Sequence, residues 1–231
     1  MRLWDQFERI APNLSAVLER DMFWMTWNTL LAWIPVVLAF ALFRWRSDAG
    51  RGGRHERTLL WWAGLGSMLL FLPNAPYVVT DLVHLRDDVL LVGHNWSVIT
   101  AVLPVYGLFI GSGFLAYYLV LRELARYLRA DGLGPWVAPT LVVVHGLSAV
   151  GVYLGRHARL NSWEPVVEPH DTLQRTILTL SWHWAPILVA STFVVIWVGH
   201  FVTRAVLEAA WETATQLRLR LPGWPGVARP S

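Results

Sequence analysis

The run Thr58-Leu59-Leu60-Trp61-Trp62-Ala63-Gly64-Leu65-Gly66-Ser67-Met68-Leu69-Leu70-Phe71-Leu72 leads without a single charge into Pro73-Asn74-Ala75-Pro76-Tyr77-Val78-Val79-Thr80-Asp81-Leu82-Val83-His84. The apolar part reads as a membrane helix. At about 1.5 Å per residue, however, it covers only about 22 Å of a hydrocarbon layer about 30 Å thick. The crossing must therefore be completed beyond Leu72. Either the helix continues through Pro73 and Pro76 as a kinked segment to Val79, or it stops and an irregular stretch lines a protein cavity. Both arrangements put Asn74, Tyr77, Thr80 and Asp81 near one membrane interface, where polar and ionisable groups are costly and mark a site by default.

Four other apolar runs have spanning length: Met22–Phe43, Trp96–Leu121, Trp136–Leu154 and Ile177–Val202. The expected fold is all-α, a polytopic transmembrane bundle of five spans. Composition agrees, with 231 residues that are 55% hydrophobic and only 15% charged, and with 15 tryptophans, many of them near the ends of the runs as an aromatic belt requires. The first run follows a charged segment and is followed by arginines rather than by a small-residue cleavage site, so it reads as a retained anchor. Before it, Trp4, Phe7, Ile10, Leu14 and Val17 recur at helical spacing, which predicts an interfacial amphipathic helix over 1–21, interrupted near Pro12. Residues 22–202 form the bundle. Residues 203–231 read as an amphipathic extension of span five (Val206, Ala209, Ala210, Leu217) and a disordered tail rich in Pro and Gly.

Cysteine is absent, which removes disulfides, thiolate chemistry and thiolate metal ligands, and lysine is absent too, so all 19 basic residues are arginines. Counted over alternate inter-span segments, seven arginines fall on the side of the N-terminus and twelve on the other. The positive-inside rule then puts the N-terminus outside and the C-terminus in the cytoplasm of a bacterial inner membrane. The partner this implies is the lipid bilayer, not nucleic acid, and no cofactor or metal is specified. The glycine-rich connector between spans one and two, 47–57, lies on the cytoplasmic side. The segments after spans two and four share the outer face, and they carry the most polar chemistry.

Asp81 and His84, three apart, fall on one face of a helical turn, as an acid–base pair or a cation-binding pair would. A metal would need a further ligand from Asp87, Asp88, His94, His157 or His170. The plainer reading is a capping Asp81 with an interfacial His84. In the second segment, Gly155-Arg156-His157-Ala158-Arg159-Leu160-Asn161-Ser162-Trp163-Glu164-Pro165, two arginines stand at the membrane edge on the face that the positive-inside rule depletes. Their forked guanidinium groups suit a carboxylate or phosphate. They either pair internally with Asp81, Glu164 or Asp171, or hold an anionic ligand. Asn161, Ser162 and Trp163 add amide, hydroxyl and indole donors beside them, and Asn74, Tyr77 and Thr80 face them from the first segment. Within the spans, Gly107/Gly111 and Gly151/Gly155 have the small-xxx-small spacing of close helix packing. His145 and His183 read as hydrogen-bonded packing groups rather than haem ligands.

Together, Phe-Leu-Pro-Asn-Ala-Pro-Tyr-x-x-Thr-Asp-x-x-His-Leu (71–85) and Gly-x-Tyr-Leu-Gly-Arg-x-x-Arg-x-Asn-Ser-Trp-Glu (151–164) resemble an uncharacterised family of bacterial multi-pass membrane proteins, catalogued as a domain of unknown function. Glu164 stands where that family's pattern more often has Asp. The resemblance covers spans one to five and implies a bacterial membrane protein, with no activity, substrate or cofactor attached.

The residues lead to an outer-face polar site, built from the 73–88 and 155–165 segments, that binds an anionic or lipid-linked ligand. Whether a reaction follows is left open; if it does, Asp81 and His84 are the acid–base groups. Two rivals remain: a transporter using the broken second span, and a structural or partner-binding subunit in which the same charges are internal ties.

Overall fold

A computed structural model describes the backbone of residues 3–47, 58–92 and 98–220 and the side chains of 19–44, 58–92 and 98–217. The stripe Trp4–Val17, the whole 47–57 connector, His94 and everything beyond Leu217 fall outside the described side chains. The described residues are almost all helical, with no strand among them. Five helical stretches have the length and apolarity to cross a membrane: Glu19–Arg44, Leu59–Val92, Val98–Ala130, Gly134–His157 and Ala185–Leu217.

The first helix, α1 (Leu3–Ser47), runs without the break expected at Pro12. The second crossing is a chain of short helices: α2 (Leu59–Phe71), α3 (Asn74–Tyr77), a 3₁₀ turn (Val78–Asp81) and α4 (Leu82–Val92). Helical turns thus continue through both prolines, as in the kinked arrangement, while α2 itself stops at Phe71 and the residues after it line a cavity, as in the other. Proline accounts for the kink, because Pro73 and Pro76 lack N–H donors and cannot take part in the i→i−4 ladder. The turn bonds Ala75 N–H to Leu72 O (3.1 Å) and Tyr77 N–H to Pro73 O (3.1 Å) carry the backbone across.

A turn of π-helix (Val98–Val102) leads into α5 (Leu103–Ala130), the central helix, followed by α6 (Val137–His157), the short α7 (Glu164–Val167), α8 (Pro169–Leu180) and α9 (Ala185–Arg220). Span five starts at Ala185, not at Ile177 as the hydropathy indicated. Ile177 belongs to α8, which ends at Leu180 with Ser181 as its cap, and the chain turns through Trp182-His183-Trp184 before Ala185 and Pro186 open the next helix. His183 consequently lies in that turn, outside any span.

The core joins all five crossings: Ala32, Val36 and Ala39 of α1; Met68, Leu72 and Ala75 of the broken crossing; Ala116, Tyr117 and Val120 of α5; Ala149 and Val152 of α6; and Ile196 of α9. Small residues bring the backbones together at the break. A Cβ on Gly113 would stand 2.4 Å from the carbonyl oxygen of Ala75, and one on Gly151 would stand 2.5 Å from the Pro73 ring. Gly107 and Gly111 do not pack in this way; nothing lies within 4 Å of either added Cβ. Gly113 is the position on α5 that the helix rotation turns toward the broken crossing.

Two ionic layers bracket the bundle. At one end Arg20 binds both Asp21 (2.9 Å) and Asp88, and Asp88 accepts from the Tyr106 hydroxyl at 2.5 Å. At the other end Glu123 lies between Arg126 (2.5 Å) and Arg44 (3.4 Å). Arg20 and Arg44 sit on one helix, 24 residues apart in sequence, which places the layers about 36 Å apart, slightly more than the hydrocarbon thickness. Buried charges at these levels avoid the apolar slab between them.

Candidate functional site

Asn28 lies eight residues along α1 from Arg20, about 12 Å toward the bundle centre from the first ionic layer. Its Nδ2 donates to Asp81 Oδ2 at 3.0 Å. Asp81 is 5% exposed, so it is enclosed by protein, inward of that ionic layer. No ion pair within 4 Å links Asp81 to Arg156 or Arg159 among the described residues.

Next to Asn28 a cavity of about 710 Å³ opens between α1, the broken crossing, α6 and the α7–α8 segment. It contains Asn74, Tyr77, Arg156, Arg159, Asn161, Ser162 and Trp163, so seven of the residues singled out from sequence line one space. Thr80, Asp81, His84 and Glu164 are not on its wall. The Thr80 hydroxyl donates to Tyr77 O (2.8 Å), and His84 is exposed with its ring 5.3 Å from Trp24. Asp81 and His84 therefore reach the cavity only through their neighbours.

The polar wall is braced from behind. Asn74 Nδ2 donates to Ser162 Oγ (2.8 Å) and to Phe71 O (3.0 Å), which ties the proline break to the second segment. Glu164 is already satisfied, accepting from Arg175 at 2.6 Å and from Asn161 at 2.6 Å. Arg175 also donates to Ala158 O at 3.4 Å, closing the segment that follows α6. Arg156 and Arg159 are left exposed at the mouth, with no carboxylate within 4 Å among the described residues. Arg159 moreover adopts φ 52°, the left-handed conformation that normally falls to glycine after a helix. A non-glycine residue there costs of order 1 kcal/mol, and such strain persists where the surroundings demand that side chain.

The wall is mixed in character. Arg156, Arg159, Asn161 and Ser162 form one part of the wall with Thr172 and Thr176, and Leu31, Gly66, Leu69, Leu70, Leu147 and Val150 form an apolar part next to the Asn28 amide. Sequence reasoning missed Trp27, Asn28, Thr172 and Thr176. Asn28 had a readable signal, an amide inside the otherwise apolar run Met22–Phe43. The threonines of α8 had none, because Ile177 and its neighbours read as the start of a span.

A second polar cluster lies in the bundle interior. The Tyr117 hydroxyl meets His145 Nδ1 at 2.9 Å and Ser148 Oγ at 3.3 Å, and the His145 and His200 rings are 5.2 Å apart. The histidine facing His145 is thus His200, across α6 and α9, and not His183. Among the described residues no three His, Asp or Glu gather as metal ligands would.

No curated protein and no solved structure matches the chain. The family described as protein of unknown function (DUF1361) matches residues 27–198, which takes in the broken crossing, the arginine segment, most of the first four spans and the first part of the fifth. The chain, a multi-pass helical protein with an amphipathic cavity between its second and fourth crossings, belongs to that family.

Proposed function

We propose that the protein binds an anionic, lipid-linked ligand in this cavity, with Arg156 and Arg159 clamping its headgroup on the outer face of a bacterial inner membrane. The observation that carries the reading is that these two guanidinium groups face an open cavity while the nearby carboxylate Glu164 is neutralised by Arg175. An internal tie would have brought Asp81 into contact with one of them. In this reading Asp81 is a positioning residue, holding Asn28 against the wall, and Asn161, Ser162 and Trp163 supply donors around the headgroup.

The test is a thermal shift of the protein in zwitterionic nanodiscs, titrated with hexadecyl phosphate. Charge-assisted hydrogen bonds are worth about 1.5–3 kcal/mol each, and the exposure of both arginines selects the lower end, so each Arg→Ala change should weaken binding about tenfold and the double variant about a hundredfold. An undiminished shift in a well-folded Arg156→Ala/Arg159→Ala protein removes the clamp.

Arg159→Gly should move two measurements in opposite directions. Relief of the positive φ raises the unliganded melting temperature, by up to about 1 kcal/mol of stability. Loss of the guanidinium weakens hexadecyl phosphate about tenfold. A variant that is no more stable than the parent shows that Arg159 carries no strain.

A further inference from the structure

Resting on the clamp just described, we infer that the ligand is a bilayer-resident amphiphile that enters sideways, through the gap between α2 and α6, with its chain lying along the inner wall. Three observations lead there. First, α6 packs against Asn74–Tyr77 rather than along α2, the close approach being Gly151 on Pro73. Below that contact the two helices leave a slot, whose edges include Gly66 and Leu147, the latter 57% exposed on the surface that faces lipid.

Second, the slot has the depth of one leaflet. Leu147 and Arg156 share α6 and are nine residues apart in sequence, which is about 13 Å of helix against about 15 Å for half the hydrocarbon layer. A lipid can slide in without changing its orientation, its headgroup already at the level of the guanidinium groups. Third, the wall is mixed as an amphiphile is, with the cations and most donors coming from the 156–163 segment at the end of α6 and aliphatic side chains from α2 and the middle of α6, beside the single Asn28 amide of α1. A water-soluble anion would use the polar part and leave the apolar part empty. The chain gains little by exchanging lipid for leucine, so affinity resides in the headgroup, and the slot decides which headgroups arrive by requiring that each be carried on a chain.

The experiment uses phosphatidylcholine nanodiscs doped with hexadecyl phosphate bearing a diazirine at its chain end, with photolysis and peptide mapping of the labelled full-length protein. Label should concentrate on Gly66–Leu70 and Leu147–Val150. Gly66→Phe fills the slot, and the variant should fold, since an added Cβ at Gly66 meets nothing within 4 Å. It should cut that labelling about tenfold while leaving the melting-temperature response to millimolar inorganic phosphate as it was. Label spread over lipid-facing side chains such as Leu108 and Val195, or slot labelling unchanged in Gly66→Phe, overturns the lateral route. The Arg156→Ala/Arg159→Ala protein separates the two readings. Slot labelling that survives there refutes the clamp, and labelling lost there but indifferent to Gly66→Phe keeps the clamp and refutes the slot.

Discussion

Arg20→Met is expected to destabilise the protein by about 3 kcal/mol in detergent unfolding experiments. Its guanidinium is the cation that holds two carboxylates out of water: the side chain of Asp88 is 0% exposed and that of Asp21 is 5% exposed. Removing one partner of such a group leaves uncompensated buried charge, which costs about 3–5 kcal/mol, and the half-exposed position of Arg20 selects the lower end because water can relax into the gap. Asp88→Asn in the same chain should restore most of the loss, since a neutral amide needs no cation and its oxygen still accepts from Tyr106. The ionic layer would be an ornament of the surface if Arg20→Met cost less than 1 kcal/mol or if the second substitution brought nothing back.

Gly113→Ala should cost about 3 kcal/mol, although it adds a single methyl group. That methyl would stand 2.4 Å from the Ala75 carbonyl oxygen and 2.5 Å from Val78 Cγ2. Val78 can rotate. The carbonyl belongs to the proline-kinked backbone and cannot move aside, so α5 and the break must separate, and over-packing of this kind costs about 1–3 kcal/mol. Separation would also pull Asn74 from Ser162, loosening the cavity wall, so hexadecyl phosphate binding should weaken with stability. Gly107→Ala and Gly111→Ala, which meet open space, should instead be neutral or stabilising by up to about 1 kcal/mol through helix propensity. Equal tolerance at positions 111 and 113 would mean that the close approach to the break does not matter.

The contrast between those glycines shows where sequence reading stops. Spacing alone marks Gly107 and Gly111 as a pair with the small-xxx-small signature, yet the rotation of α5 about its own axis decides which small residue meets a neighbour. Hydropathy likewise merged α8 with span five, because Ile177, Leu178 and Leu180 are apolar in either setting. What separates them is the turn at Ser181–Trp184, held by the bonds of Ser181 N–H to Ile177 O and Ala185 N–H to Trp182 O. The second crossing was better marked, since fifteen apolar residues cannot cross the layer and two prolines locate the kink.

The amino-acid sequence by itself determined the five crossings, the broken second one, and the convergence of the Asn74 and Arg156–Trp163 segments on one face, because transfer of apolar runs into lipid and the chemistry of proline are local properties. Family membership follows from the same two motifs. Only the tertiary structure decided that Asp81 withdraws from the cavity to Asn28, that Glu164 is neutralised by Arg175, and that Arg156 and Arg159 are left facing an open space. Those outcomes depend on which charge reaches which partner across separate helices, a matter of distances of a few ångströms that hydropathy and spacing do not encode.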